Sequence, residues 1–512
     1  MLEPKAQSLV LVFSWLFISN AGRMRRLVRL VGLVCVSSLL LSGFGNSRAD
    51  LLIETALKPS PLGQNLERLT DAVGGRLTGT AAMNNAIEWG MDGFRAAGAD
   101  SVHTESFTIP NSWEEGSTQM RVVAPVEFGV RAVSIAWGPA LEARHHVPVI
   151  DIGEGKAEDF ARAGDVEGKI LLLPQGEAKT WDDEAAEYDK SLDVIARAKR
   201  DRALAIAFQS NHPNDLLYRE THSEHGEIED LPMLIVARED AGRMSRLLGS
   251  GQALYADLEI PNRIGGPVET ANVIAEVKGS EKPGEVVIVG AHLDSFELGT
   301  GALDDGCGSA LVVDTLRAIR ASGLQPRRTI RFILFSGEEE GLLGSRAYVS
   351  AHRAELDNVV AMIAWDDGTG RMTGFSLGGR KDLGEAVKKL IAPLKAYEGT
   401  TLTFDVSSDT DHFDFLLEGV PTLYASQLEA NYLINYHAAS DTFDKVEMAE
   451  LKKLVAASAV TAFAIADAPE RVGPRLHRAQ VEKALHDSHM EDSMKVTGAW
   501  ADWESGKRGR RE

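Results

Sequence analysis

The first regular pattern along the chain is a series of apolar positions at helical spacing. Between about residues 50 and 118, this pattern predicts a helix, a glycine-rich turn and a second helix. The second helix ends at Gly98 and is marked by five apolar positions: Ala82, Ala86, Trp89, Phe94 and Ala97. We assign this segment to the first part of a domain that continues much further along the chain.

A separate β-rich unit is predicted between residues 119 and 262. Short apolar runs, among them VPVIDIG, KILLLPQG, ALAIAFQS and LPMLIVA, are separated by turns and by two helical pieces. Short runs of β-branched and apolar residues bounded by turn residues are typical of strands. We therefore predict an inserted domain that has its own sheet.

Strands and helices alternate between residues 263 and 467. The predicted strands, such as EVVIVGAHLD and TIRFILFSGEE, are almost continuously apolar. Strands of this kind are buried on both faces, as in parallel sheets that are covered by helices. The pattern predicts an α/β fold, a three-layer sandwich around a mostly parallel sheet. The polar tail, residues 468–512, is expected to be disordered.

Length, composition and charge narrow the class of protein. A chain of 512 residues suits two folded units with terminal extensions. With 44% hydrophobic and 25% charged residues, it has the composition of a globular protein and not of a multi-span membrane protein. The net charge of −21 argues against a nucleic-acid partner, because phosphate binding requires clustered Lys and Arg. With Cys35 and Cys307 alone, no disulfide framework is expected.

The leader, residues 1–49, has the order of a secretory signal peptide. Four basic residues precede the apolar run LVGLVCVSSLLLSGFG and the small-residue site NSRAD: Arg23, Arg25, Arg26 and Arg29. The segment from Met24 is a complete signal by itself, so the start is Met1 or Met24. A permanent anchor is the alternative, but neither apolar run reaches the about 20 residues of a membrane span. We predict cleavage, a secreted or periplasmic location, and no stable membrane partner unless the leader is retained.

Acidic and imidazole side chains follow the strands of the predicted α/β sheet. In doubly wound sheets the carboxyl ends of the strands and the loops after them form the ligand crevice. Five segments contribute such residues there: His292 and Asp294, Asp304 and Asp305, Glu338 to Glu340, Asp366 and Asp367, and His437. Clustered carboxylates repel one another unless a cation compensates them. Two His with several carboxylates suit zinc, and two ions about 3.5–4 Å apart could share one carboxylate.

The chain resembles the co-catalytic zinc aminopeptidases, a family that includes glutamate carboxypeptidase II. Five motifs stand in the family's order: HLD, GALDDGCG, EEEGLLGS, AWDDGTG and YHAASDT. The resemblance covers about residues 50–465 and includes the segment GGRLTGT. It implies the zinc aminopeptidase fold, a protease-associated insert domain that limits the cleft to short peptide substrates, and a homodimer.

The resemblance also implies the residues that bind two zinc ions. Carried over position by position, it assigns His292 and Asp366 to one ion and Glu339 and His437 to the other. Asp304 would bridge the two ions.

Three further residues have roles in the reaction that the resemblance implies. Asp294 would orient His292 through its other ring nitrogen. Glu338 would be the general base, taking a proton from the attacking water and passing it to the leaving amine. Tyr436 would stabilise the oxyanion, and the alternative for this residue is a packed aromatic ring near a metal site.

Several neighbouring residues have less specific interpretations. Asp305 and Asp367 are expected to be solvated or turn-forming. Glu340 gives the acidic run a second possible register, which the pattern EExGLxGS resolves in favour of residues 338 and 339. Asp411 and His412 either line the substrate site or form a helix N-cap cluster.

Two kinds of residue are expected to have no catalytic role. Cys307 is expected to be a packed thiol and not a nucleophile. Four histidines of the insert are expected at the surface: His145, His146, His222 and His225.

The resemblance implies a metallopeptidase that removes residues from the N-terminus of peptides or splits dipeptides. Two alternatives exist on the same fold. One is a glutaminyl cyclase-like acyltransferase with a single zinc ion, and the other is a non-catalytic receptor-like binding protein. The complete set of ligand residues argues against the first alternative, and that set together with Glu338 argues against the second.

Overall fold

A computed structural model gives the structure of residues 47–512. Residues 1–46 of the predicted leader, which include Cys35 and both possible start residues, lie outside the described residues. Within residues 47–512, no helix combines the length and the apolar character that crossing a bilayer requires.

The strands fall into three sheets. In chain order they are β1 (Ser101–Ile109), β2 (Trp113–Glu114), β3 (Gln119–Ala124), β4 (Phe128–Val130), β5 (Ala132–Ser134), β6 (Leu141–Asp151), β7 (Ile170–Leu173), β8 (Ala205–Gln209), β9 (Met233–Val236), β10 (Leu254–Ile260), β11 (Arg263–Ile264), β12 (Val268–Val277), β13 (Lys282–His292), β14 (Arg328–Phe335), β15 (Val359–Ala364), β16 (Met372–Ser376), β17 (Thr401–Thr403) and β18 (Thr422–Gln427).

The α-helices precede β1, lie between later strands or follow β18. They are α1 (Arg48–Leu57), α2 (Leu62–Glu67), α3 (Ala81–Ala97), α4 (Ala157–Ala163), α5 (Trp181–Arg200), α6 (Arg238–Gly249), α7 (Cys307–Ser322), α8 (Leu343–Ala351), α9 (Gly384–Leu390), α10 (His412–Leu417), α11 (Met448–Asp467), α12 (Arg478–Asp487), α13 (Met490–Val496) and α14 (Ala499–Glu504). Helix α3 ends as the sequence predicts, because Gly98 adopts a left-handed conformation with φ of 88°.

The first eight-stranded sheet has the order β1-β12-β14-β13-β15-β18-β16-β17. Strands β14, β13, β15 and β18 are parallel to one another in its centre. The pairs β1–β12, β12–β14 and β18–β16 are antiparallel. The pair β16–β17 is also parallel, so four of the sheet's seven described strand pairs are parallel, and the sheet is mixed but mostly parallel, as expected.

Alternate side chains of this sheet enter two hydrophobic cores, because successive residues of a strand point to opposite faces. In β13, Val287 and Val289 pack into a core shared with α3, α7 and α11. Val286 and Ile288 pack into a second core with residues of α8 and α10. Burying one such side chain contributes about 1.5–3 kcal/mol. Helices thus cover both faces of the sheet, and the three layers expected from the sequence are present.

The insert has its own eight-stranded sheet, with the order β4-β3-β10-β6-β7-β8-β9-β5. It also has two hydrophobic cores of its own. Strands β6 to β9 are parallel, and helices α4 to α6 belong to the same segment. The insert is therefore a mixed α/β unit, which differs from the expected β-rich unit. The buried runs of β7 and β9 are apolar throughout, and β8 is apolar up to its last residue, Gln209, as in strands covered on both faces.

The two connections of the insert run side by side. Strands β2 and β11 pair in an antiparallel ribbon, in which Trp113 lies opposite Ile264 and Glu114 opposite Arg263. This ribbon lies just outside the boundaries that the sequence predicts at residues 119 and 262. The chain therefore enters and leaves the insert at one place.

The C-terminal tail is folded, which corrects the expectation that it would be disordered. Trp500 and Trp503 are buried in a cluster with Phe413 of α10. Arg508 forms a buried bidentate pair with Asp414, with donor–acceptor distances of 2.8 and 3.0 Å. The tail is polar on average, but a few large apolar side chains, Trp500 and Trp503 among them, anchor it to α10 beside the first sheet.

Candidate metal centre

The polar side chains of the first sheet meet at one edge. Strand β13 ends at His292, Glu339 follows β14, and Asp366 follows β15. Because β14, β13 and β15 are adjacent and parallel, their carboxyl ends lie together. The sheet register therefore positions three of the predicted site residues next to one another.

Two groups of potential metal ligands form at this edge, and they share Asp304. In the first group, His292 Nε2 lies 3.0 Å from Asp304 Oδ1 and 3.5 Å from Asp366 Oδ1. In the second group, His437 Nε2 lies 3.1 Å from Glu339 Oε2 and 3.3 Å from Asp304 Oδ2. The ligand atoms of each group lie within 4.8 Å of one another. The structure thus brings together all five residues that the sequence assigned to metal binding.

Burial and charge act in opposite directions on the two imidazoles. Burial lowers the pKa of His292, but Asp366 and hydrogen bonds to Asp294 and Asp304 raise this pKa well above its usual value. Burial also lowers the pKa of His437, and the neighbouring Glu339 and Asp304 carboxylates raise it well above its usual value.

The pKa of Glu339 is also raised, which for a carboxyl group favours the neutral form. Burial raises the pKa of Glu339 to about 7, although the His437 imidazole opposes this rise. These shifts favour the protonated, charged form of both imidazoles and the protonated, neutral form of the Glu339 carboxyl group. Both effects indicate that the cluster has an excess of negative charge, which a cation would compensate. Glu339 Oε1 is buried and has no hydrogen-bond donor. The nitrogen and oxygen donor set is the one that zinc accepts, so these residues fit a divalent cation.

The neighbours of His292 in the sequence hold its position. His292 Nδ1 lies 3.1 Å from the backbone oxygen of Asp294 and 3.8 Å from Asp294 Oδ1. Asp294 Oδ2 accepts a hydrogen bond from the backbone N–H of Glu339 (3.2 Å), so Asp294 contacts residues of both ligand groups. The His292 backbone donates to Asp305 Oδ2 (3.3 Å) and accepts from Ser309 Oγ (2.6 Å).

Asp441 supports the shared ligand, and the sequence interpretation did not single it out. Its carboxylate accepts hydrogen bonds from the backbone N–H groups of Leu303 (2.7 Å) and Asp304 (3.2 Å). Burial raises the pKa of Asp441 to about 7. Asp441 belongs to the motif YHAASDT, so its position in the sequence was the signal that could have identified it.

Arg76 is a second residue that the sequence interpretation missed, although it lies in the segment GGRLTGT. Its buried guanidinium donates to the backbone oxygens of Leu293, Thr300 (3.0 Å) and Gly301 (3.0 Å). It therefore joins the loop after His292 to the loop before the shared ligand.

His437 lies in a loop and adopts a left-handed conformation with φ of 56°. The insert pairs with this loop: the N–H of Arg219 donates to the His437 oxygen (2.9 Å), and the N–H of Ala439 donates to the Leu217 oxygen (3.0 Å). The sequence interpretation placed no site residue in the insert. The structure shows that the insert contacts the backbone of a potential ligand.

The three consecutive glutamates have three different environments. Glu338 is half-buried and faces the cleft described below. Glu339 belongs to the second ligand group, and Glu340 is fully buried away from both groups. Burial raises the pKa of Glu338 well above its usual value, the His292 charge lowers it, and the Asp366 and Glu339 carboxylates raise it further. The side chains of residues 338 and 339 therefore lie where the register chosen from the sequence requires them.

A cleft of about 670 Å³ lies beside the ligand groups. Asp304, Glu339, Asp366 and His437 line it from the first sheet and its loops, together with Glu338. The insert contributes further lining residues, and so does the C-terminal tail: Glu184, Tyr188, Glu220, Met494, Thr497 and Arg508. Three segments of the chain thus enclose one cleft.

Tyr436 lines the cleft and also packs against a potential ligand. Its ring stacks on the His437 imidazole with a centroid distance of 3.6 Å. Trp181 of the insert contacts the Tyr436 ring edge-on at 5.1 Å. The position is compatible with both roles that the sequence left open.

The residues beside the ligands are held by hydrogen bonds and by stacking. Asp305 is buried and not solvated, and it accepts a hydrogen bond from the N–H of Gly308 (3.0 Å) at the start of α7. Asp367 is half-buried and accepts from the N–H of Gln427 (2.9 Å). Asp411 and His412 are buried, and neither lines the cleft.

The other residues considered from the sequence lie away from the ligand groups. Cys307 is buried as expected and donates to the Leu303 oxygen (3.3 Å). His145 and His146 are exposed as expected. The other two insert histidines are half-buried and not at the open surface: His222 bonds to Ser191 (2.7 Å), and His225 pairs with Asp502 (3.1 Å).

Comparison with known proteins identifies similar chains. Residues 272–462 match the model of peptidase family M28. Carboxypeptidase Q of Rattus norvegicus is 27% identical over 412 residues, which cover 80% of this chain and 85% of that protein. The sequence motifs, GGRLTGT among them, resemble carboxypeptidase Q in particular, and the 27% identity over 80% of the chain confirms this resemblance for the chain.

Solved structures agree with this result. The crystal structure of a peptidase M28 precursor from Shewanella amazonensis SB2B has a TM-score of 0.76 and 25% identity, covering 84% of this chain and 98% of that chain. BSAP, a zinc aminopeptidase from Bacillus subtilis, has the same fold, with a TM-score of 0.63, 19% identity and coverage of 81% and 97%.

Proposed function

Residues 272–462 are a peptidase family M28 domain and the protein is a metallopeptidase, and from this premise we propose that it is a zinc-dependent exopeptidase. We assign it aminopeptidase or dipeptidase activity on short peptides. One observation carries this proposal: two ligand groups share Asp304 beside a cleft that Glu338 also lines. The zinc aminopeptidase of similar fold and the carboxypeptidase Q relatives support it.

Each ligand group would hold one zinc ion. His292 and Asp366 would bind the first ion, Glu339 and His437 the second, and Asp304 would give one carboxylate oxygen to each. Bound zinc would polarise the scissile carbonyl and increase the acidity of a nearby water. The burial of these ligands excludes bulk water and strengthens every charge interaction in the site.

Glu338 would transfer the proton during hydrolysis. Its carboxylate would accept a proton from the attacking water and then donate it to the nitrogen of the leaving amine. The peptide C–N bond breaks as the new C–O bond forms. Glu338 suits this role because it lines the cleft while its neighbour Glu339 belongs to a ligand group.

Two neighbours would assist this step. The backbone oxygen of Asp294, 3.1 Å from His292 Nδ1, would accept the Nδ1 hydrogen, with Asp294 Oδ1 at 3.8 Å beside it, and would thereby keep Nε2 available for the ion. The Tyr436 hydroxyl would donate a hydrogen bond to the oxygen of the reacting carbonyl as negative charge develops there.

The proposal extends to location and assembly. The leader predicts a secreted or periplasmic protein, which N-terminal sequencing of the exported chain would test. The resemblance implies a protease-associated insert that restricts substrate length and a homodimer, which light scattering of the purified protein would test. The lining residues of the insert, Glu184 and Tyr188 among them, support a role in restricting the cleft.

The decisive experiment measures hydrolysis and metal content on the same sample. An aminoacyl p-nitroanilide and a panel of dipeptides and tripeptides serve as substrates. We expect two zinc ions per chain, and complete loss of activity on chelation. The Glu338→Gln variant should keep both ions and lose about 10²–10⁴-fold in kcat. Asp189→Asn, which removes an exposed carboxylate at the same cleft, is the matched control and should stay active.

Other outcomes would identify the alternatives. A single zinc ion with cyclisation of an N-terminal glutamine would identify a glutaminyl cyclase-like enzyme. A folded and zinc-loaded protein that cleaves none of the peptides would identify a receptor-like binding protein.

A further inference from the structure

The insert reaches the candidate metal centre through one short segment, residues 217–220. Arg219 and Leu217 form backbone hydrogen bonds with His437 and Ala439, as in an antiparallel sheet. This pairing fixes the backbone of His437, which has the left-handed φ of 56°. A side chain that follows Arg219 on this segment is therefore held at a defined position relative to the imidazole.

Glu220 is that side chain. Its Oε1 accepts a hydrogen bond from the N–H of Thr221 (3.0 Å), and its backbone oxygen accepts from the N–H of Ala136 (2.8 Å). These bonds leave Glu220 Oε2 facing His437 Nδ1 at 4.0 Å. The carboxylate is thus oriented by its own backbone toward the ring nitrogen that faces away from the ligand group.

His437 Nδ1 needs such a partner. Its Nε2 lies against Glu339 and Asp304, so a metal ion at Nε2 requires Nδ1 to carry the hydrogen. Nδ1 is buried and has no hydrogen-bond partner among the described residues. The faces of the imidazole contact the rings of Tyr436 and Phe296, which offer no strong acceptor.

Arg219 anchors the segment to both parts of the protein. Its fully buried guanidinium bonds to Glu115 Oε2 (2.6 Å) and to Glu297 Oε1 (2.6 Å). Glu297 belongs to the loop that follows His292. The position of the insert segment is therefore tied to the loop of the first ligand group as well.

We propose that Glu220 is a positioning residue for the metal centre, and that the insert thereby completes the second ligand group. When an ion binds Nε2 of His437, Glu220 accepts the hydrogen of Nδ1. This needs a side-chain shift of about 1 Å, from 4.0 Å to a normal hydrogen-bond distance. The inference rests on the proposed two-zinc function.

The test measures metal binding apart from catalysis. Wild type, Glu220→Ala and Glu220→Gln are stripped with a chelator and titrated with zinc in competition with a chromogenic chelator. Cobalt replaces zinc in a second series, in which absorption bands report the ligand geometry. Glu224→Gln is the matched control, because Glu224 is another insert carboxylate that lines the cleft and has no contact with His437 among the described residues.

We expect Glu220→Ala to weaken the binding of one of the two zinc ions by about 10–100-fold. In the cobalt series, the absorption bands of the ion at that position should change. Glu220→Gln keeps an acceptor oxygen and should therefore lose less zinc affinity than Glu220→Ala. The metal-free variants should unfold at the temperature of metal-free wild type, which separates this effect from misfolding. The control should bind both ions as wild type does.

Three results would overturn the inference. If Glu220→Ala and Glu220→Gln bind both ions with wild-type affinity and spectra, Glu220 does not position the ligand. If Glu224→Gln weakens zinc binding as much as Glu220→Ala does, the effect comes from the total negative charge of the cleft and not from a contact with His437. If metal-free Glu220→Gln unfolds at a lower temperature than wild type, the role of Glu220 is structural. Wild type that binds no zinc would instead contradict the proposed function itself.

Discussion

The two ligand groups of the candidate metal centre are held in different ways. His292 ends a central strand, and its supporting residues Asp294, Asp305 and Ser309 lie within 17 positions of it in the sequence. His437 lies in a loop, and the insert residues that contact it, Arg219 and Glu220, lie more than 200 positions away. The hydrogen bonds of His292 itself thus come from nearby positions, whereas the backbone of His437 is held by a separate unit.

This difference has a physical cause. The register of β13 between β14 and β15 fixes the position of His292, because each strand bonds to two neighbours. A loop has no such ladder, so its conformation depends on the contacts that other segments make with it. We therefore expect changes in the insert to affect zinc binding at the His437 group more than at the His292 group.

The largest effect should come from Asp304→Ala, which removes the one ligand that both groups share. Both ions lose a carboxylate at once, so zinc content should fall below one ion per chain and hydrolysis should disappear. Metal analysis of the purified variant checks this. Asp409→Asn removes an exposed carboxylate of the same cleft and should keep both ions. A variant that retains two ions would show that Asp304 is not shared.

Arg219→Met should destabilise the protein and weaken zinc binding at the His437 group more than at the His292 group. The change leaves the carboxylates of Glu115 and Glu297 without their buried partner, which costs about 3–5 kcal/mol. Urea unfolding and zinc titration measure the two effects. Arg263→Met, whose partner Glu114 is exposed, should change stability by about 0–1 kcal/mol. Equal loss of both ions in Arg219→Met would contradict the contrast between the groups.

Tyr436→Phe separates a catalytic role from a packing role next to His437. The variant keeps the ring that stacks on His437 and removes only the hydroxyl. If that hydroxyl donates to the developing oxyanion, kcat should fall about 10²–10³-fold while zinc content stays unchanged. Tyr432→Phe, at a neighbouring ring, is the control. An unchanged kcat would leave Tyr436 with the packing role alone.

Asp294→Ala should have the smallest effect, because the His292 group keeps its strand and its backbone bonds. The backbone oxygen at 3.1 Å still accepts the Nδ1 hydrogen, so loss of the carboxylate should weaken zinc binding at His292 by about 10-fold at most and leave zinc binding at His437 less affected. Cobalt spectra distinguish the two ions. A larger loss at His437 would show that Asp294 acts mainly through its bond to Glu339.

The parts of the fold that depend on local periodicity can be predicted from the sequence. Apolar runs located the central strands of the first sheet, such as β13 and β14, and Gly98 marked the end of α3, whereas β1 and β16 were not predicted. Because parallel strand ends meet at one edge, motif order alone placed His292, Glu339 and Asp366 together. The five residues assigned to metal binding are the five that the structure groups.

Only the tertiary structure decided what depends on long-range contacts. Nothing near Glu220 in the sequence predicts that it faces His437, because that approach follows from the docking of the insert. The tail is polar on average, yet Trp500 and Trp503 fold it by packing on α10. Local patterns specify strands, helices and their ends, whereas the pairing of distant segments is set by complementary surfaces that no short window of sequence contains.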